Sequence, residues 1–275
     1  MTVRVVADST AALDAATAAA LGVTIVPTRV VLGGVGYDDG DLPLAELLAR
    51  FDEGVSTSGP TPGAFAAALD GADEGAVVLT VAAHLSSSYK SAVLAAGLSS
   101  DRPVRVIDSR TAAGAQALAA LHAAEVANRG ASLDEVEAAA HRVLGRARLY
   151  GALETFEYLV RGGRLNSTVG RMAAGLRVRP LFELRGGNIR SLRPAFSREA
   201  SITRLLRVWR RSRVKGARLH VIALHALAPE AARHLLAEVR REVEPATGLV
   251  AEFGAVMVVH TGPGLLGLSW WWEEG

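Results

Sequence analysis

The sequence predicts an α/β protein of two lobes, and three observations carry that prediction. Short Val-rich runs alternate with Ala-rich helical stretches through the first half of the 275 residues. Such alternation specifies a parallel sheet with both faces covered by helices. The second half instead holds two strand-like runs separated by Arg185-Gly186-Gly187, a hairpin signature that implies a mixed sheet. Half of the residues are hydrophobic but only 5% are aromatic, so the interior must be aliphatic. The parallel α/β lobe is placed at residues 1–150 and the mixed α/β lobe at 151–275.

The elements follow in order. Val3–Ala7, Val23–Val26, Val77–Val81 and Val104–Ile107 are apolar on both faces, as strands inside a parallel sheet must be. Helices are expected at Leu13–Leu21, Leu44–Phe51, Ser88–Leu98 and Ala112–Asn128, with Pro43 suited to a first helical position and Gly130 to a stop. These elements give the first lobe a Rossmann-like pattern. Ser132–Ala147 reads as a helix with Asp134 and Glu135 in its first turn. The hairpin pairs Val178–Leu184 with Asn188–Arg193. A helix at Ser201–Val214, a strand at Leu219–Leu224 and a helix at Pro229–Val243 come next, and strands near Leu249–Phe253 and Ala255–His260 are expected to close the lobe.

Composition removes several classes of function. The chain has no cysteine, which excludes disulfides, Cys-based zinc sites, iron–sulfur clusters and thiol nucleophiles. Met1–Asp8 runs into a strand without a signal peptide's apolar stretch. No apolar run approaches the ~20 residues of a membrane helix. A cytoplasmic protein without stable membrane insertion is therefore expected. Lysine occurs only at Lys90 and Lys215, so 28 of the 30 basic residues are arginine. The formal charge is nevertheless only +2, and a nucleic-acid partner is not expected.

The chemistry gathers at the ends of strands. Val3–Ala7 leads into Asp8-Ser9-Thr10, Val77–Ala82 into Ser86-Ser87-Ser88, and Val104–Ile107 into Asp108-Ser109; a further cluster is Ser56-Thr57-Ser58-Gly59-Pro60-Thr61. In open parallel sheets the loops at the strands' carboxyl ends line the ligand crevice, where hydroxyls would offer several uncharged donors to one anion. Taken singly, each cluster also has a local explanation as a helix cap or turn. His260 is read as the end of an apolar strand beside the rigid turn Thr261-Gly262-Pro263-Gly264, a place from which a ring can enter the crevice. A lone strand-end histidine is as readily structural. The remaining histidines (His84, His122, His141, His220, His225 and His234) show no metal-ligand spacing and are assigned to surface or core. Arg161-Gly162-Gly163-Arg164 displays two guanidinium groups on a tight turn. Arg193, Arg198, Arg204, Arg207, Arg210, Arg211 and Arg213 form a basic stretch that is either a solvated helix face or a docking surface. Tyr37-Asp38-Asp39-Gly40-Asp41 lacks the alternating oxygens and terminal glutamate of a calcium loop and is read as a turn. Nucleotide-binding glycine motifs, a G-x-S-x-G elbow and an H-E-x-x-H pair are all missing.

The ordered set of Asp8-Ser9-Thr10-Ala11, Tyr37-Asp38-Asp39-Gly40, Thr57-Ser58-Gly59-Pro60-Thr61-Pro62 with Phe65, and Leu85-Ser86-Ser87-Ser88-Tyr89-Lys90-Ser91-Ala92 continues through the rest of the chain. It adds Ile107-Asp108-Ser109, Leu159-Val160-Arg161-Gly162-Gly163-Arg164-Leu165, Arg179-Pro180-Leu181 and His260-Thr261-Gly262-Pro263-Gly264. Together these motifs resemble the DegV family of bacterial fatty-acid-binding proteins over nearly the whole chain. The resemblance implies a long-chain fatty acid held in a tunnel between the lobes, with no cofactor. It further implies that Thr57, Ser58 and Ser86 bind the carboxylate with His260 beside it, while Arg164 and Arg198 face the head group or a partner. Some members of the family are binding subunits of a fatty acid kinase that feeds phospholipid synthesis, so a kinase catalytic protein is an implied partner, and a monomer is expected. The chain departs from the family pattern at Gly59, where Gln is usual, and at Ser87-Ser88, where Gly-Thr is usual. Two other readings compete: a hydrolase using Ser86 with His260, and a lipid-responsive regulator that docks through residues 204–213.

Overall fold

The structure, a computed structural model, describes residues 2–98, 102–163 and 178–274. Its first sheet is formed by β1 (Arg4–Asp8), β2 (Val23–Val26), β6 (Ala76–Thr80) and β7 (Val104–Asp108), all parallel, in the order β2-β1-β6-β7. All five residues of β6 are buried, as a central strand covered on both faces requires. On one face lie α3 (Pro62–Leu69) and α4 (Ser88–Leu98), whose Phe65, Leu69, Ala92 and Ala95 pack against Val6 and Val78. The other face meets α5 (Ala113–Asn128) and α6 (Leu133–Arg146). Ser132 caps α6, and Glu135 returns the bond to the Ser132 amide.

The second lobe is a six-stranded sheet in the order β10-β9-β8-β13-β11-β12. Its strands are β8 (Arg148–Ala152), β9 (Arg179–Arg185), β10 (Asn188–Ala195), β11 (Arg218–His225), β12 (Thr247–Glu252) and β13 (Leu266–Glu273). Only the β11–β12 pair is parallel, so the sheet is mixed. β9 and β10 are the hairpin expected around the glycine turn. The outer face is covered by α8 (Arg198–Arg211) and α9 (Pro229–Arg240), with Leu205, Trp209, Leu235 and Trp270 at the centre of that packing. The inner face turns toward α5.

Helix α5 is therefore a shared layer. Ala115, Ala117, Ala119, Ala120, Ala123 and Ala124 are all buried, and its small side chains let a sheet approach from either side. A helix buried over most of its surface needs no broad polar face, and alanine fills 8 of the 16 positions of α5. One hydrophobic cluster runs from Val5 and Leu79 through Leu118 to Leu149, Leu224 and Trp271, joining the lobes.

Four features differ from the sequence reading. Ala255–Thr261 is a helix, α10, and not a strand ending at His260. Its valines favour extended backbone locally. The observed helix buries Ala255, Val256, Val258 and Val259, and the Val256 amide finds an acceptor in Asp39. Strand β13 lies beyond the last strand expected and sits in the middle of the second sheet. Finally, β3 (Arg29–Leu32), β4 (Val35–Asp38) and β5 (Val55–Ser58) form a separate antiparallel sheet, so Ser56, Thr57 and Ser58 stand on a strand and not in a loop. Pro43 is the cap residue before α2 (Leu44–Ala49), one position earlier than expected.

Candidate functional site

A cavity of about 350 Å³ opens where these layers meet. That size falls within the ~300–1,000 Å³ range of small-molecule pockets. One end is polar and lined by Thr57, Ser58, Gly59, Ser86, Ser87 and His260. The rest is mostly apolar, with Leu149, Phe182, Leu184 and Leu224 from the second sheet and Val256 and Leu265 from the segments around α10. It also includes Thr10, Thr28, Tyr150 and Thr261. Helix α5 contributes Ala112 and Ala113 at its start, where a methyl leaves room for a ligand.

The polar end is assembled from distant segments. Thr57 sits on β5 and its Oγ1 lies 2.8 Å from His260 Nε2, in the last turn of α10, across 203 residues of sequence. Ser86 lies in the loop between β6 and α4; its Oγ is 2.9 Å from Ser88 Oγ and accepts the Ser88 amide at 3.2 Å. The start of α4 thus faces the polar end, and the partial positive charge of a helix N-terminus favours an anion there. Thr57 is half-buried, whereas Ser58 and Ser87 are exposed, which places them at the mouth.

Two carboxylates stand behind this surface. Asp8 is fully buried and accepts Gln116 Nε2 at 3.0 Å, the Val81 amide at 2.9 Å and the Thr10 hydroxyl. Burial pushes its carboxyl above the usual carboxylate range, against hydrogen bonds from Thr10, Gln116 and Val81 that favour the charged form. Thr10 also lines the cavity, and with its proton turned to Asp8 or to Gln116 Oε1 at 3.1 Å it offers lone pairs outward. Asp39 accepts Ser9 Oγ at 2.7 Å, Thr28 Oγ1 at 3.2 Å and the Val256 amide at 3.2 Å. It ties three segments, including α10, into one frame. The segment read only as a turn at Tyr37–Asp41 therefore supplies a structural joint, and nothing in its local sequence signals partners 30 and 217 residues away.

Space around His260 is tight. A side chain at Gly162 would run into His260 Nδ1, so the turn after α7 (Glu157–Arg161) must be glycine to let the ring sit where Thr57 meets it. Helix α7 is fixed in turn by Tyr158, edge-on to Phe51 with ring centres 5.5 Å apart, and by Arg161 over the same Phe51 ring at 5.4 Å.

A family model described as "Uncharacterised protein, DegV family" matches residues 2–273. The chain belongs to the DegV family. A DegV domain-containing protein of Streptomyces coelicolor is 37% identical over 276 residues, covering 97% of both chains. Among solved structures, a DegV family protein from Thermus thermophilus, described by its fatty acid binding, is 30% identical. It covers 99% of this chain and all of its own, with a TM-score of 0.88. A Thermotoga maritima protein described as revealing fatty acid binding function is 27% identical, with 99% of each chain covered and a TM-score of 0.86.

In this DegV chain, four of the residues singled out from sequence line one cavity: Thr57, Ser58, Ser86 and His260. Of the two arginines singled out, only Arg198 lies among the described residues. Arg198 is absent from the cavity wall; its Nη2 binds Glu154 Oε1 at 3.0 Å, and Glu154 also holds Arg179. Arg164 lies outside the described residues. The hydrolase pairing finds no direct support, because His260 Nε2 is engaged with Thr57 while Ser86 is engaged with Ser88. Among the described residues no group of His, Asp and Glu side chains is arranged to hold a metal ion, and no helix is long and apolar enough to cross a membrane.

Proposed function

We propose that this chain binds one long-chain fatty acid, with the acyl chain against the second sheet and the carboxylate at Thr57, Ser58, Ser86 and His260. The observation that carries the reading is the division of one cavity into an aliphatic length and a hydroxyl-and-imidazole end. Burying ~14 methylenes at ~0.8 kcal/mol each supplies ~11 kcal/mol before ordering costs, enough for affinity without any cation at the head. The polar end then orients the ligand. For Thr57 to donate to a carboxylate oxygen, His260 must carry its proton on Nε2 and donate it to Thr57 Oγ1. The observed Thr57–His260 pair is compatible with that arrangement.

Neutral donors hold a carboxylate without cancelling its charge, so its oxygen stays nucleophilic. We assign to the bound acid the further role of substrate for a partner kinase: a carboxylate oxygen attacks the γ-phosphorus of ATP held by the partner, forming the acyl phosphate and releasing ADP. In this reading the exposed Ser58 faces the partner, and Arg164 and Arg198 supply positive charge at the rim. In this reading the partner holds the phosphoryl donor, and this chain supplies the acid and the flanking positive charge.

Native mass spectrometry of the purified protein, followed by extraction and identification of bound lipid, tests the first half. One fatty acid per chain is expected. An empty protein that takes up neither palmitate nor oleate overturns the reading. Phosphorylation of the bound acid by an added fatty acid kinase, and its loss in Arg164→Ala or Arg198→Ala, tests the second half.

A further inference from the structure

Positions 59 and 87 compete for the same space at the cavity mouth. The first carbon of a side chain at Gly59 would lie 2.8 Å from Ser87 Oγ, 2.9 Å from the Ser88 nitrogen and 3.2 Å from Ser86 Oγ. Carbon does not approach that closely, so the Ser86–Ser88 loop fills the volume that a side chain at 59 would need. The backbone of Gly59 is not in the left-handed region, and any residue could adopt it. Space alone therefore demands the glycine.

The Ser86–Ser88 loop instead presents the Ser87 hydroxyl at this gap. That hydroxyl lines the cavity next to Ser86 and is exposed at the mouth. It immediately precedes α4, whose N-terminus favours negative charge.

We infer that Ser87 is a head-group contact and a specificity-determining residue of this chain, given its place by the missing side chain at Gly59. The inference rests on the fatty-acid reading above and names one more donor to the carboxylate. Its chemistry is that of a hydroxyl donating to a charged oxygen, so it distinguishes a carboxylate head from an uncharged one of the same chain length.

The test is competition of palmitate and of hexadecanol against a fluorescent fatty acid, on the full chain and four variants. Ser87→Ala is expected to weaken palmitate about tenfold, the scale of one hydrogen bond to a charged group, and to leave hexadecanol nearly unchanged. Gly59→Ala is expected to weaken palmitate further by displacing the whole loop. Gly59→Ala combined with Ser87→Gly should bind palmitate better than Gly59→Ala alone, because the glycine removes one clash and frees the loop to shift. An unchanged preference for palmitate over hexadecanol in Ser87→Ala overturns the inference. So does a double variant whose loss is the simple product of the Gly59→Ala and Ser87→Gly losses. Ser87 is exposed and the change to alanine is small, so that arm decides the matter even if Gly59→Ala does not fold. A parent chain that binds neither probe sinks the fatty-acid reading itself, and this inference with it. A parent that binds palmitate with no response to Ser87→Ala removes only the role of Ser87.

Discussion

The two walls of the cavity are built on different principles. The wall from the first lobe and its small antiparallel sheet presents hydroxyls, each backed by a partner: Thr10 by Asp8, Thr28 by Asp39, Thr57 by His260 and Ser86 by Ser88. The wall from the second sheet presents Leu149, Phe182, Leu184 and Leu224, and the hydroxyl of its Tyr150 is given to Glu183. The difference separates two tasks that one surface could not perform together. Apolar burial is strong and non-directional, so it supplies affinity and tolerates variation in the chain. Hydrogen bonds are weak in net terms but directional, so in the proposed complex they would fix which end of the ligand lies at the mouth.

Filling the aliphatic wall should give the largest effect. Ile189 on β10 lines the cavity and is only partly buried, so Ile189→Trp can be accommodated while closing off part of the tail space. Displacing about four methylenes removes about 3 kcal/mol, or roughly a hundredfold in palmitate affinity. The melting temperature should hold or rise. Unchanged affinity would show that the acyl chain runs elsewhere, and the contrast between the walls would collapse.

Removing a donor from the polar wall should matter less, and selectively. Thr57→Val keeps the shape and loses the hydroxyl that meets His260. A loss of about 2 kcal/mol, roughly thirtyfold, is expected for palmitate, with little change for hexadecanol. Equal losses for both probes would mean that Thr57 acts on the cavity's shape and not on the head group.

How far these walls could be seen in the sequence follows from the range of the interactions. The parallel strands were legible because Val5, Val6, Val77 and Val78 are apolar on both faces, a local pattern with one structural meaning. The residues of the polar wall were legible through the DegV motifs. Two of the elements were not. In seven residues the Val-rich Ala255–Thr261 cannot separate a period of 3.6 from one of 2, and long-range burial decided for helix. In β13 the run Trp270-Trp271-Trp272 is buried on both faces and shows no alternation to betray a strand. Asp39 was read as part of a turn because all three of its donors lie 11 or more residues away.

The joint between the walls is the next place to press. Asp39 fastens the small sheet to Thr28, Ser9 and the start of α10. Asp39→Ala leaves those donors without their acceptor and should cost about 2 kcal/mol. For a chain of this size that is a fall of about 4–8 °C in melting temperature. Fatty-acid affinity should fall as well, since α10 carries His260. A stability loss with affinity intact would show that the polar wall holds its geometry without this joint.

The smallest effect is expected at the opposite side of the same seam, where α5 meets β13. His122 packs edge-on against Trp271 with ring centres 5.1 Å apart and is buried. Burial lowers its pKa from the usual imidazole value, opposed by Glu273 and Glu125 and reinforced by His220 and Arg142. The pKa of buried His225 is lowered by the same desolvation, opposed by Glu252 and reinforced by Arg233. A histidine whose folded pKa lies below its unfolded value binds fewer protons folded than unfolded between the two. The stabilisation from its neutral form is therefore complete above the unfolded pKa of about 6.5 and is lost as the pH falls through that value toward the folded pKa. The melting temperature should fall between pH 7.5 and pH 5.5, and the fall should shrink in His122→Gln, which cannot titrate. An identical pH slope in the variant would place the sensitivity outside this seam. A reduced slope with palmitate affinity unchanged at pH 7.5 would show that the back of the seam holds the lobes together without shaping the head-group site.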